Sequence, residues 1–157
     1  MSDNPDDVLV AMGLGSCVGI CAYDPIVRVA GLLHAVLPER NGASTGSDAK
    51  YVDTGIQRLI AEMEERGADR RRIIIRMAGG AEMLIAPGFG NGLRIGSRNI
   101  EAAHSAIRQE RLRLAGEETG GSAGRTVRLF VGTGVMTVRS IGHPEHELPL
   151  HGAPGIK

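Results

Sequence analysis

Val8-Leu9-Val10-Ala11-Met12-Gly13-Leu14-Gly15-Ser16-Cys17-Val18-Gly19-Ile20-Cys21-Ala22-Tyr23 is the stretch on which the fold turns. As strand, turn and helix it would open a dinucleotide-binding domain, since Gly13-Leu14-Gly15 begins such a fingerprint. That fingerprint needs a third glycine where Val18 stands, and a helix after it. The residues from Cys17 to Tyr23 are instead apolar and partly β-branched, and they stop at the turn signal Asp24-Pro25. The stretch therefore reads as two strands, 8–12 and 17–23, with Gly13 to Ser16 as the turn. No Gly-Lys-Ser or Gly-Lys-Thr occurs, so there is no P-loop either.

Working outward, a third apolar run over 29–37 ends at Pro38 and lies close enough to form a hairpin with the second. A polar, Gly-rich loop covers 39–46, and Ser47 is placed to cap a helix. Val52, Ile56, Leu59, Ile60 and Met63 fall on one face of that helix, which Gly67 closes. Ile73-Ile74-Ile75 begins a buried strand that ends at Ala78-Gly79-Gly80-Ala81. A glycine-rich loop follows at 86–92. Ser97 caps a second helix, with Ile100, Ala103, Ala106 and Ile107 inward. A short strand at 111–116, a turn at 120–124 and a hairpin folded at Gly132-Thr133-Gly134 complete the pattern. The predicted order is β-β-β-α-β-α-β-β-β. Strands outnumber helices and several connections are hairpins, so the expected fold is α/β, a layered sandwich with mixed sheets. The expected organisation is a disordered acidic leader at 1–7, one domain at 8–141 and a loosely held tail at 142–157.

The 157 residues suit one domain, and 42% hydrophobic against 23% charged content marks the chain as globular. Eighteen basic and eighteen acidic residues balance, which removes long-range attraction to nucleic acid or anionic lipid. Aromatic residues make up only 3%, against base stacking on single strands. Arg70-Arg71-Arg72 reads as a solvated loop. No run reaches the ~20 apolar residues of a membrane span. The N-terminus lacks the basic segment of a signal peptide. A cytoplasmic protein without direct membrane insertion is the expectation.

Three groupings of residues carry possible chemistry. His143, His146 and His151 lie in a Pro-broken tail that offers no rigid frame for zinc. Cys17, Cys21 and His34 supply only three ligands of a closed structural site, so no metal is expected. The third grouping is Cys17 with His34. A nucleophilic cysteine needs a base within reach and donors for the developing oxyanion. Cys17 follows a glycine turn at the start of a strand, where the N–H groups of Ser16 and Cys17 can face a ligand. His34 lies on the strand expected to pair with it. The residues alone leave catalysis and inert packing both open.

Gly13-Leu14-Gly15-Ser16-Cys17-Val18, then Asp24-Pro25, then Gly31-Leu32-Leu33-His34-Ala35-Val36-Leu37-Pro38 closely resembles the signature of the CheD family. The resemblance continues through Lys50-Tyr51-Val52-Asp53-Thr54, Gly79-Gly80-Ala81, Ile95-Gly96-Ser97-Arg98-Asn99 and Gly116-Glu117-Glu118-Thr119-Gly120-Gly121. It implies a chemoreceptor glutamine deamidase, a hydrolase that turns a glutamine carboxamide into a carboxylate. The implied nucleophile is Cys17 and the implied base is His34, with no cofactor. It also implies a fold shared with cytotoxic necrotizing factor catalytic domains. Implied partners are the chemoreceptor's cytoplasmic domain and a CheC-type phosphatase. One departure stands out: the family's third catalytic residue is a threonine, and its position here is Ala11. A backbone carbonyl, at Ala11 or elsewhere, and Ser16 are the candidates to replace it. The alternative is a binding module with weakened catalysis that regulates the phosphatase. An activated Cys17 is expected to alkylate well below the ~8.5 pKa of a free thiol.

Overall fold

The computed structural model describes residues 1–42, 46–83 and 94–151. Two four-stranded sheets pack face to face, and two helices cover the outer face of one of them. In chain order the elements are β1 (Val8–Leu14), β2 (Val18–Asp24), β3 (Val29–Ala35), α1 (Val52–Glu65), β4 (Ile74–Gly79), α2 (Ile95–Gln109), β5 (Arg113–Thr119), β6 (Arg125–Phe130), β7 (Met136–Ser140) and β8 (His146–Glu147). The first sheet runs β3-β2-β4-β5 and is mixed, with β4 and β5 parallel across the α2 crossover. The second runs β1-β6-β7-β8 and is antiparallel throughout. The layered α/β sandwich is thus the observed architecture.

Every residue of β2 is buried, because β2 has a layer on each face. Val18, Ile20 and Ala22 join Ile56, Ile60 and Met63 of α1 and Ala103 and Ile107 of α2 in one core. Cys21 and Tyr23 point the other way, into a second core with Val127, Leu129 and Val138 of the second sheet. Each fully buried Ile, Leu or Met contributes about 1.5–3 kcal/mol relative to exposure. Double burial also explains why the sequence of β2 does not alternate between apolar and polar residues. β6 does alternate at Val127 and Leu129, since its outer face is open.

Several expected details change. Ser47 caps a short 3-10 turn at Asp48–Lys50, and α1 begins beyond it with Tyr51 as a cap lacking a side-chain hydrogen bond. Ser97 lies inside the first turn of α2. Its N–H and hydroxyl both donate to Glu82 Oε1, so a carboxylate from outside the helix satisfies that terminus. The leader, expected to be disordered, pairs through Ser2 with Ala30 and covers the free edge of β3. The tail adds β8, buries Leu148 and sets His146 Nε2 2.7 Å from Glu118 Oε2. The glycine-rich loop expected at 86–92 lies outside the described residues.

Arg70, Arg71 and Arg72 each meet a carboxylate. Arg72 lies 2.8 Å from Asp24, whose side chain is fully buried and also accepts from the N–H groups of Asp69 and Ile26. Burial would raise the Asp24 pKa. The Arg72 guanidinium and the two N–H donors outweigh it and hold the carboxyl below its ordinary range. A folded-state value below the unfolded one, about 3.9, means full stabilisation above that pH. The contribution fades as pH falls through the lower folded value. Asp24→Asn should therefore lower unfolding free energy at neutral pH by about 1–3 kcal/mol. Urea titrations at a series of pH values should show the deficit shrinking as pH falls below the ordinary carboxylate range.

Candidate active site

Between β1 and β2 the chain is held by its carbonyl groups. Gly15 O accepts from the Ala81 N–H at 2.8 Å, and Cys17 O accepts from the Gly80 N–H at 2.8 Å. Ser16 O accepts from Asn99 Nδ2 of α2, also at 2.8 Å. In a trans peptide the N–H points opposite to the preceding carbonyl. The Ser16 and Cys17 N–H groups therefore aim away from these donors. Neither finds a backbone acceptor among the described residues.

The end of β4 is the floor of this turn. Gly79 has φ 113°, and a Cβ there would strike the Cys17 carbonyl oxygen. Only glycine gives both the conformation and the clearance. Behind it, the start of α2 packs on the backbone of Gly80 and Ala81. A Cβ at Gly96 would lie 2.5 Å from Gly80 O and 2.6 Å from Ala81 O.

β2 and β3 form the expected hairpin, with Gly19 opposite His34 and Val18 opposite Ala35. Side chains two residues apart on a strand share a face, so Cys17 and His34 lie diagonally across the pair on the face toward the second sheet. Such neighbours are about 7–8 Å apart, within reach of long side chains. Gly19 puts no side chain directly opposite His34. Cys17 is half-buried and packs against the inter-sheet core, whereas His34 is exposed. Among the described residues no hydrogen bond joins the two side chains, and none holds the imidazole of His34.

Ala11 lies on β1, opposite Val127, and is 4% exposed within the inter-sheet core. Its neighbours Val10 and Met12 are 46% and 72% exposed, on the opposite face. A β-bulge separates Ala11 from Leu14. Neither Ser16 nor the Ala11 carbonyl hydrogen-bonds the His34 ring among the described residues. Asn99, in contrast, stood in the sequence only as the last residue of the block Ile95-Gly96-Ser97-Arg98-Asn99, with no role assigned to it, although a signal was present. It lies on the buried stripe of α2 with Gly96, Ala102, Ala103 and Ala106, where an amide needs a partner.

Burial pushes the Cys17 thiol above its ordinary pKa, and the opposing hydrogen bond from its own N–H does not cancel the effect. Cys21, fully buried four residues on, is pushed up to about 12, which suits inert packing.

The fold is a two-sheet α/β sandwich that sets a cysteine at a glycine turn and a histidine on the paired strand. The model of the family described as CheD chemotactic sensory transduction matches residues 36–140. That stretch begins after both Cys17 and His34, so the match does not rest on them. A relative from Symbiobacterium thermophilum named "Probable chemoreceptor glutamine deamidase CheD" is 45% identical over 94% of this chain and 91% of its own. Relatives of the same name from Desulfitobacterium hafniense and Thermococcus kodakarensis are 42% and 44% identical, over 88% and 87% of this chain and 87% and 84% of theirs. The chain belongs to the CheD family.

The raised thiol makes a direct forecast. In iodoacetamide alkylation followed by mass spectrometry, Cys17 should label with a pH midpoint above the ~8.5 of a free thiol. Cys21 should stay unlabelled until the protein is denatured. A Cys17 midpoint well below 7 would mean a preformed thiolate–imidazolium pair instead.

Proposed function

We propose that this protein hydrolyses specific glutamine side chains of chemoreceptor cytoplasmic domains to glutamate and releases ammonia. The observation that carries the reading is the shared face of Cys17 and His34 beside two N–H groups without backbone acceptors among the described residues. The thiol stays protonated until substrate arrives. His34 then takes the proton as Sγ attacks the amide carbon, and the Ser16 and Cys17 N–H groups receive the oxyanion. Collapse breaks the C–N bond, and the proton on His34 leaves with ammonia. A water, deprotonated by His34, attacks the thioester, and the carboxylate departs as the thiol is restored. No step calls on a cofactor, and the reaction belongs in the cytoplasm, where the receptor helices lie. A kinship with cytotoxic necrotizing factor catalytic domains belongs to the same proposal and rests on the Cys–His pair.

A second reading has its own observation. Ala11 offers no hydroxyl, and no hydrogen bond orients the His34 imidazole among the described residues. A domain with weakened catalysis would serve as a binding module for a CheC-type phosphatase. Pull-down against such a phosphatase, with changed dephosphorylation of its substrate, supports this reading, and absence of binding removes it.

Incubation with a receptor cytoplasmic fragment should add one dalton at a modified glutamine, and Cys17→Ala should abolish the gain. If wild type and Cys17→Ala give the same null result on a fragment that a threonine-bearing relative deamidates, the enzymatic reading fails. Ala11→Thr should raise kcat/KM several-fold, because a hydroxyl there can orient the imidazole. Unchanged turnover in a folded Ala11→Thr protein would show that another group already does so.

A further inference from the structure

The β2–β3 ladder ends at the pair Val18 and Ala35, one residue after Cys17 and one after His34. Beyond it the two strands part. The N–H groups of Val36 and Leu37 turn to Lys50 O, and Ser16 leaves toward β1. Two carbonyl groups are stranded at this fork, Ser16 O and Val36 O. Both are taken by one side chain: Asn99 Nδ2 donates to Ser16 O at 2.8 Å and to Val36 O at 3.0 Å. Asn99 is fully buried on α2, and its Oδ1 has no partner among the described residues. The reverse amide orientation would set Oδ1 against two carbonyl oxygens, so the donor direction is fixed by electrostatics. A buried amide oxygen without a partner costs about 1–3 kcal/mol, which the fold accepts in order to place both N–H bonds at the fork.

We infer that Asn99 is a positioning residue for the Cys17–His34 pair. It works from the helix side of the sheet, opposite the face that carries the two side chains, so it touches neither. It closes the fork where the ladder has ended, and this fixes the spacing of the strand ends that carry Cys17 and His34. It also draws the Ser16 carbonyl toward α2, which turns the Cys17 N–H to the other side of the sheet, the side of the two side chains. An Asn at this place therefore governs two quantities: the approach of His34 to Cys17, and the side to which the Cys17 N–H points beside the thiol. The inference rests on the reading of Cys17 as nucleophile for its catalytic consequence, but its effect on the thiol stands without that reading.

The test uses the full chain with Asn99→Asp and Asn99→Ala, each checked by thermal melting and studied well below its melting temperature. The first readout is the pH dependence of Cys17 alkylation by iodoacetamide. Both variants should shift the midpoint upward by about half a unit or more, roughly a threefold loss of thiolate at a given pH below the midpoint. The second readout is deamidation of a receptor fragment, where kcat should fall at least tenfold with KM within twofold. Folded variants with a wild-type alkylation profile would overturn the inference, whatever their melting temperature. If wild type itself fails to deamidate, the alkylation profile still decides the role of Asn99, and only the functional reading falls. If neither variant folds, wild-type NMR decides: both Nδ2 protons should exchange slowly with solvent, and fast exchange of either overturns the clamp.

Discussion

β2 is enclosed by helices on one face and by the second sheet on the other, with β3 and β4 at its edges. No polar backbone group of such a strand can fall back on water, so each must find a partner in a neighbouring strand. That requirement fixes the register of β3 and β4 against β2, and it places Gly19 opposite His34 and opposite Ala78. It also fixes where the enclosure ends. The chain leaves the sheet at Cys17, and three successive carbonyl groups there are held by Ala81, Asn99 and Gly80. The functional candidate thus lies at the first point where the backbone is released from strand pairing yet remains tied at every oxygen.

The same enclosure sets the chemistry. A half-buried thiol in contact with an apolar core loses more as a thiolate than as a thiol. Cys17 consequently rests in the neutral form, with one N–H donor opposing that preference. His34 is exposed, on the edge side of the hairpin. On the proposed reading, the nucleophile is generated when substrate excludes water and draws the imidazole toward the sulfur, not stored beforehand as an ion pair.

The fold was largely legible because its signals are local. The helix stripe at Val52, Ile56, Leu59, Ile60 and Met63 and the hairpin glycines at Gly132 and Gly134 depend on spacing alone. Capping was less legible. Ser47 and Ser97 both carry the right side chain, but a 3-10 turn uses the first, and Glu82 from outside the helix satisfies the turn that holds the second. The contacts of the two ends were less legible for the same reason. Their composition is polar, and the edge of β3 and the open side of β7 that they cover belong to distant parts of the chain.

By itself the sequence determined the element types, the hairpin that joins the strands of Cys17 and His34, and the absence of a hydroxyl at Ala11. These depend on residue identity and on separations of a few positions, over which backbone geometry is predictable. Only the tertiary structure decided the surroundings of the pair. It brought Asn99 of α2 to Ser16 and Val36, set Gly79 beneath the Cys17 carbonyl, and buried the thiol enough to raise its pKa. Each of these depends on groups far apart in the chain meeting across a packed interior, where distance and solvent exclusion, not sequence spacing, determine the energy.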